Sequence, residues 1–271
     1  VLFGSFLFSS DTMLYGSDII ASLGVRVMYR TALLQYHQFP FWDATRLGGM
    51  PTIDASFGDA LYPPSILIQM LFPIHRALGY KAAVHVLLAG LFFYLLLLKG
   101  FSTSPLVAFA GAVFFMLNPQ FVTLVYSGHE GKLFVIAWLP YMIWRLKALM
   151  EAPSLMNATL LALGVCMSLL TGHVQLTYFV LWGLFLYWVF HLVLQWHAAR
   201  NLRALVPGGV YFWVAMLLGV GMAFMLFYPN VMFVRDAFSV RGVERGFDYA
   251  ASWSLHWPEF LSLWVPEFGH W

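Results

Sequence analysis

Two short polar turns carry the residues of this sequence that are best suited to chemistry. They are SGHEGK at residues 127–132 and TGHVQ at residues 171–175, and each sets a hydroxyl, a glycine and an imidazole between two apolar segments. Glycine lets the backbone turn tightly and approach a ligand closely, and a neutral imidazole can accept a proton or bind a metal. His129, His173 and Gln175 are therefore candidate site residues, with a helix-end hydrogen bond as the alternative role of each histidine.

The first of these turns also holds an acid and a cation. Glu130 offers a carboxylate, and Lys132 offers an ammonium group that can bind phosphate. A dense ligand spacing such as His-Glu-x-x-His does not occur, so a metal site would have to be assembled from distant loops. The single cysteine, Cys166, excludes disulfides and multi-cysteine metal sites within this chain.

Aspartates are concentrated in the first 79 residues, among Gly-Gly-Met-Pro and Tyr-Pro-Pro turns that predict a structured loop. Most of them are expected to cap helices or form turns, because aspartate bonds readily to nearby backbone N–H groups. Asp18 has two alternative roles, as a site residue or as the N-cap of a helix that contains Arg26 and Arg30. The five aspartates are Asp11, Asp18, Asp43, Asp54 and Asp59.

The last part of the chain becomes polar and aromatic again. Arg241 and Arg245 lie there, and guanidinium groups match phosphate geometry well. They are candidates for binding an anionic headgroup, and simple anchoring to lipid phosphates is the alternative. Tryptophans at a helical spacing are interrupted by Pro258 and Pro266, which predicts an interfacial segment rather than another span.

The elements that must position these residues are apolar helices. The chain is 61% hydrophobic and 10% charged, whereas soluble domains contain about 25% charged residues; the mean hydropathy is +0.78. A hydrocarbon core of about 30 Å needs roughly 20 apolar residues in a helix. The fold class is therefore an all-α integral membrane protein with about six transmembrane helices. The expected spans are 78–98, 105–126, 132–150, 155–171, 174–196 and 205–228.

This pattern divides the chain into three parts. Residues 1–77 form a first extracytoplasmic loop with interfacial or re-entrant helices, 78–228 the transmembrane bundle, and 229–271 an extracytoplasmic interfacial segment. The second span is expected to break at Asn118-Pro119. The apolar segment from Pro63 to Pro73 is too short to cross a bilayer.

Basic residues predict the orientation, because positive charge concentrates in cytoplasmic loops. Eleven of the twelve acids then fall on the opposite, extracytoplasmic side, with Glu151 as the exception. Ionisable groups beside a membrane are costly, so a one-sided cluster indicates a working surface; large loops that simply collect polar residues are the alternative. The basic residues in alternate connections are Lys99, Arg145, Lys147, Arg200 and Arg203.

Several motifs together resemble the YfhO-type bacterial membrane proteins, which look like members of the GT-C glycosyltransferase superfamily. The resemblance covers nearly the whole chain. Its motifs are YGSD at 15–18, PFW at 40–42, GGMP at 48–51, LYP at 61–63, GHEGK at 128–132, GHVQL at 172–176 and SWSLHWPEFLSLWVPEFG at 252–269.

The resemblance implies a GT-C-like fold and an enzyme of the bacterial inner membrane that transfers a sugar from a polyprenyl-phosphate carrier on the extracytoplasmic side. It also implies a catalytic acid in the first outer loop, where Asp18 matches by position and Asp11 is the nearest substitute. Asp18 would act as general base, or alternatively hold a divalent cation; no other cofactor is implied. Candidates for stabilising the departing phosphate are His129, Lys132, Arg241 and Arg245.

Two other functions remain open. A non-catalytic subunit would pack its helices against partner membrane proteins. A lipid or solute transporter should carry charged or broken-helix residues at the bilayer midplane, where the spans offer only His85, His191 and the break before Pro119.

A net charge of +2 without a basic run argues against a nucleic-acid partner. The first residues read as the tail of an apolar helix, so we expect the chain to be a piece of a longer protein.

Overall fold

A computed structural model of the protein describes residues 3–45, 48–52, 58–201, 205–235, 247, 251–252, 254 and 257–265. Within these residues the chain is mostly helical, with one short antiparallel hairpin. The elements are α1 Gly4–Leu7, α2 Ser17–Gln35, β1 Trp42–Asp43, β2 Met50–Pro51, α3 Pro63–Leu71, α4 Ile74–Leu95 with a π-helical extension at Leu96–Gly100, α5 Pro105–Met116, α6 Pro119–Ser127, α7 Glu130–Glu151, α8 Leu155–Leu170, α9 Val174–Ala199, α10 Val206–Met222, α11 Phe224–Arg235 and a 3-10 helix at Trp257–Leu263.

Local sequence signals set where several helices begin. Pro105 opens α5, and the Ser104 hydroxyl accepts a hydrogen bond from the Val107 N–H, since proline suits the first helical turn and serine satisfies a free backbone donor. Pro119 opens α6 in the same way, capped by the Asn118 side chain. The break predicted at Asn118-Pro119 is therefore confirmed.

Fewer spans are long enough than the sequence suggested. Within the described residues, four helical segments have the length and apolar composition to cross a membrane, and a fifth results if α10 and α11, which meet at a 66° bend, count as one. The segment expected as another span, α8, is only 16 residues long, short of the roughly 20 that a bilayer core needs. The four segments are Ile74–Gly100, Pro105–Ser127, Glu130–Glu151 and Val174–Ala198.

Three of these helices run in the same direction. Near the start of α4, Lys81 contacts Glu130 at the start of α7, and at the far end of α4 Gly100 lies against Trp144 of α7. Helix α9 follows α7, because the side chain of Gln195 near its end donates to the carbonyl of Met150. The amino-terminal ends of α4, α7 and α9 therefore lie at one end of the bundle.

The core lies where α7 packs against α4, α8 and α10. Phe134 and Leu146 of α7 are fully buried there. Small residues bring the backbones close together: a Cβ on Gly219 of α10 would lie 2.8 Å from Val165 of α8. Such small-residue contacts are the usual means of close helix packing in apolar surroundings, and they fix the relative positions of the helix ends that carry the polar residues.

Candidate functional site

The amino-terminal ends of α2, α7 and α9 surround one cavity of about 670 Å³. This volume is within the range of about 300–1,000 Å³ that small-molecule sites occupy. The start of each helix contributes residues to the wall of the cavity. These are Asp18 in the first turn of α2, residues 130–132 in the first turn of α7, and His173 immediately before α9. A helix amino terminus carries about half a positive charge. Three such ends favour a ligand that is anionic or rich in hydrogen-bond acceptors.

Close backbone contacts hold the first Gly-His turn against α2. Gly128 has a φ of +82°, and a Cβ at this position would lie 2.7 Å from the backbone nitrogen of Ile19. A Cβ on Gly16 would likewise meet the Cα of Gly128 at 2.9 Å. The Ser17 hydroxyl donates to the carbonyl of Ser127 at 3.2 Å. The YGSD motif and the SGHEGK turn therefore form one packed unit, which explains why both contain glycine.

The second Gly-His turn reaches the same cavity through equally close contacts. Gly172 has a φ of +79°, and a Cβ there would lie 2.2 Å from the carbonyl oxygen of Gly58. A Cβ on Gly131 would lie 3.1 Å from the Cβ of His173. Residues that are distant in sequence thus bring His129 and His173 to a single cavity.

Three charged or titratable side chains form a row at the mouth of the cavity. The Nε2 of His129 lies 3.3 Å from Oδ2 of Asp18, and Nζ of Lys132 lies 3.4 Å from Nδ1 of His129. An imidazole without a proton on Nδ1 accepts a hydrogen bond from Lys132, and its Nε2 then lies beside the Asp18 carboxylate. The Asp18 and His129 side chains are 61% and 37% exposed, so they can meet a ligand. We call Asp18, His129 and Lys132 the rim triad.

Asp18 does not cap its helix. The N-cap of α2 is Gly16, and Asp18 lies one residue inside the first turn, at the second helical position. The N-cap alternative is therefore wrong, because α2 already begins at Ser17 and no side chain caps it. A carboxylate in the first turn still gains from the helix dipole, and its side chain stays free to face His129.

His173 combines a structural role with a place in the cavity wall. Its Nδ1 accepts a hydrogen bond from the backbone N–H of Leu176 at 3.2 Å, so that the imidazole caps α9. Burial, and next the charge of Lys132, lower the pKa of His173 below its ordinary value. The imidazole is therefore neutral near pH 7, as the capping bond requires.

Arg26, Asp59 and Glu130 line the floor of the cavity, and the fully buried Lys81 completes a cluster of four charges. Arg26 donates to Oδ1 of Asp59 and to Oε2 of Glu130, each at 2.7 Å. Lys81 donates to Oδ2 of Asp59 at 2.7 Å and to the same Oε2 of Glu130 at 2.9 Å. The side chain of Lys81 is 0% exposed, that of Asp59 3% and that of Glu130 8%. We call Arg26, Asp59, Lys81 and Glu130 the charge quartet.

The quartet is electrically balanced and holds four segments together. Burial alone would raise the pKa of Asp59, but the adjacent Arg26 and Lys81 outweigh burial and hold that pKa well below its usual range. Buried ions are tolerated only when they are paired and hydrogen-bonded. Because its members come from α2, the loop before α3, α4 and α7, the quartet fixes the floor of the cavity relative to the rim triad.

Beneath the quartet lies a chain of neutral hydrogen bonds. The Nε1–H of Trp138 donates to the Tyr62 hydroxyl at 2.7 Å, and that hydroxyl is 2.7 Å from Nε2 of His85. The Nδ1 of His85 lies 2.7 Å from the carbonyl oxygen of Lys81 and donates to it. This chain orients the turn of α4 that presents Lys81 to the quartet.

The structure brings five of the candidate residues to one cavity. The cavity is lined by Asp18, His129, Glu130, Lys132 and His173, all of which were candidates. Asp11 and Gln175 are exposed and are not among the residues that line it. Arg241 and Arg245 lie outside the described residues.

Three members of the quartet were not predicted as site residues. Asp59 was interpreted as a turn former, and Arg26 and Lys81 had no assigned partner. Lys81 offered one signal, since a lysine within an apolar helix needs a buried partner, but its identity depends on long-range packing. Across the described part of the chain, no three His, Cys, Asp or Glu side chains group closely enough to hold a metal ion.

Comparison of the chain with protein-family models, curated proteins and solved structures found no match. The resemblance to the YfhO-type proteins therefore rests on the motifs in the sequence, and function must be argued from the site itself.

Proposed function

We propose that the protein is a membrane-embedded, GT-C-like glycosyltransferase that moves a sugar from a polyprenyl-phosphate carrier to an acceptor hydroxyl in this cavity. The observation that carries the proposal is the rim triad, which sets a carboxylate, an imidazole and an ammonium group in a row at the mouth of the cavity. A lipid-linked sugar phosphate needs a base for the acceptor and a cation for the leaving phosphate. Asp18 and Lys132 supply these two functions on either side of His129.

The proposed side of the membrane is extracytoplasmic. The cavity lies at the amino-terminal ends of α7 and α9, and the opposite ends of α4, α7 and α9 carry Lys99, Lys147 and Arg200. The positive-inside rule assigns such basic ends to the cytoplasm. A site on the outer face of the bacterial inner membrane fits a donor whose polyprenyl tail stays in the bilayer.

In the proposed reaction, the acceptor hydroxyl attacks the anomeric carbon of the sugar. A new carbon–oxygen bond forms, the bond between the anomeric carbon and the phosphate oxygen breaks, and polyprenyl phosphate leaves with the bonding electron pair. Asp18 takes the hydroxyl proton directly, and the imidazole of His129 orients its carboxylate. General-base catalysis of this kind contributes about 10² to 10⁴ in rate.

The leaving phosphate gains negative charge as this bond breaks. Lys132 lies at the amino terminus of α7, where its ammonium group and the helix dipole act in the same direction. The amino-terminal ends of α2 and α9 add to this field. Preorganised positive groups that face developing charge are among the largest contributions to catalysis.

Donor turnover by the full-length protein tests this proposal. The purified protein would be reconstituted in vesicles with a panel of polyprenyl-phosphate-linked hexoses and membrane extract as the acceptor source, and the lipids followed by mass spectrometry. We expect that one donor is consumed while polyprenyl phosphate and a glycosylated product accumulate. The alternative of a structural subunit predicts that no donor is consumed and that a membrane protein co-purifies in stoichiometric amount.

A further inference from the structure

Glu130 uses only one of its two carboxylate oxygens. Its Oε2 accepts hydrogen bonds from both Arg26 and Lys81. Its Oε1 is buried and has no hydrogen-bond partner within the described part of the chain. Asp59, the other acid of the quartet, differs in this respect, because Oδ1 pairs with Arg26 and Oδ2 with Lys81.

An unpaired buried carboxylate oxygen is costly, because the acceptor has lost water without gaining a replacement donor. Glu130 nevertheless forms part of the cavity wall while its side chain is only 8% exposed. A donor group on a molecule bound in the cavity would satisfy this oxygen.

We infer that Oε1 of Glu130 accepts a hydrogen bond from a hydroxyl group of the transferred sugar, and this inference rests on the proposed function. The sugar lies towards the charge quartet, and the phosphate lies at the rim near Lys132. Glu130 is thus a residue that selects and positions the sugar, distinct from the base and the phosphate-binding cation.

The charge balance of the floor favours a neutral hydroxyl over a charged group. The quartet contains two cations and two carboxylates in mutual contact. A ligand cation beside Glu130 would also face Arg26 and Lys81, and a ligand anion would face the carboxylates. A hydroxyl donates one hydrogen bond to Oε1 and brings no net charge into this buried region, so it avoids the desolvation cost of an unpaired ion.

The exposure of the cavity residues also favours this orientation, with the sugar at the floor and the phosphate at the rim. Asp18 is 61% exposed at the rim, whereas Glu130 is 8% exposed at the floor. A sugar held at the floor has its anomeric carbon between these two levels, next to the base. Tyr29 and Gln69 line the same cavity as Glu130, and this mixture of aromatic and amide groups suits a small polar ligand.

Monodeoxy analogues of the donor test this inference on the unaltered protein. Binding of each polyprenyl-phosphate-linked sugar to full-length protein in nanodiscs would be measured by native mass spectrometry, beside bare polyprenyl phosphate. We expect one deoxy position to weaken binding about 10- to 100-fold, the range for a hydrogen bond to a charged group. Equal binding of every monodeoxy donor would overturn the inference while leaving sugar transfer intact.

Two matched variants distinguish the loss of the hydrogen bond between Glu130 and the sugar from a general disturbance of the charge quartet. Glu130→Gln and Asp59→Asn each remove one negative charge from the same cluster, but only the first changes the unpaired oxygen. Glu130→Gln should reduce the discrimination between the sugar and its deoxy analogue to within about threefold, and Asp59→Asn should retain it. If both variants lose this discrimination equally, the discrimination depends on the quartet as a whole and the inference fails.

Bare polyprenyl phosphate distinguishes this inference from the proposed function. Its binding should survive Glu130→Gln and weaken in Lys132→Met. If the wild-type protein neither binds nor consumes any glycosylated carrier, the proposed function and the inference fall together. If either quartet variant does not fold, the analogue series on the wild-type protein decides alone.

Discussion

Nε2 of His129 lies 3.3 Å from Oδ2 of Asp18, although His129 immediately precedes α7 and Asp18 lies in the first turn of α2. This contact joins the YGSD motif to the SGHEGK turn, and it exists because glycines at positions 16 and 128 let the two backbones touch. The SGHEGK turn supplies the imidazole and the cation of the row, and the YGSD motif supplies its exposed carboxylate. The rim triad is therefore a product of the fold, and each of its members can be tested separately.

Replacing Lys132 with methionine should weaken binding of polyprenyl phosphate about 10- to 100-fold, because a charge-assisted hydrogen bond to the phosphate is lost. The residual binding should also depend less on salt, since fewer exposed charges are screened. Titration in nanodiscs at two ionic strengths measures both effects. Lys99→Met removes a lysine from the opposite end of the bundle and is the matched control. Equal losses in the two variants would exclude a specific phosphate site at Lys132.

Replacing Lys81 with methionine should lower the free energy of unfolding by about 3–5 kcal/mol, because two buried carboxylates are left with one fewer cation. Chemical denaturation in detergent micelles measures this change, and Lys99→Met again serves as control. Adding Glu130→Gln to Lys81→Met should cost less than the sum of the single changes, since the double variant restores the charge balance. Strict additivity would contradict the description of the quartet as one coupled unit.

The Gly172→Ala change should destabilise the protein by more than about 1 kcal/mol, because alanine disfavours the positive φ and its Cβ would collide with the Gly58 carbonyl. Gly183 is helical, and no atom of the described residues lies within 4 Å of a Cβ placed there. Gly183→Ala should therefore stabilise the protein by about 0.4–1 kcal/mol. Thermal unfolding of the two variants measures the difference, and a harmless Gly172→Ala would argue against close contact between the second Gly-His turn and the Gly58 loop.

Because of His173, the free energy of unfolding should fall as the pH is lowered. The folded state lowers its pKa below 6.5, so at and just below this pH the unfolded chain binds more protons than the folded one. Stability is therefore complete above about pH 6.5 and declines as the pH falls. His173→Asn keeps a capping side chain but does not titrate. The variant should lose less stability than the wild type between about pH 7 and 5; parallel curves would mean that His173 does not cap α9 as a neutral imidazole.

Local sequence signals predicted much of the fold. The span expected at 105–126 corresponds to α5 and α6, with the break at Asn118-Pro119, and the span expected at 174–196 corresponds to most of α9. Apolar length, proline and glycine act within a few residues, so they can be read from the sequence. The number of spans was overestimated for two reasons. The bounds of α8 were predicted within one residue, but a segment of this length was counted as a span. The segment expected at 205–228 is divided by the 66° bend between α10 and α11.

The site was harder to predict, because its contacts are between distant segments. The two Gly-His turns could be recognised as similar, but only packing shows that they line one cavity. The partners of Lys81 come from α7 and from the loop before α3, and no spacing in the sequence specifies this pair. Glu130 looked like an independent acid, whereas its Oε2 pairs with two cations and its Oε1 has no partner among the residues that the structure describes.

The most direct test of the proposed glycosyltransferase compares the full-length wild-type protein with Asp18→Asn and Asp11→Asn in reconstituted vesicles, following release of polyprenyl phosphate from glycosylated donors. Asp18→Asn should lower turnover about 10²- to 10⁴-fold, with unfolding temperature and donor binding unchanged. Asp11→Asn, an exposed residue that is not part of the cavity wall, should retain wild-type turnover. Full turnover by Asp18→Asn, or no turnover of any donor by the wild-type protein, would contradict the proposed function.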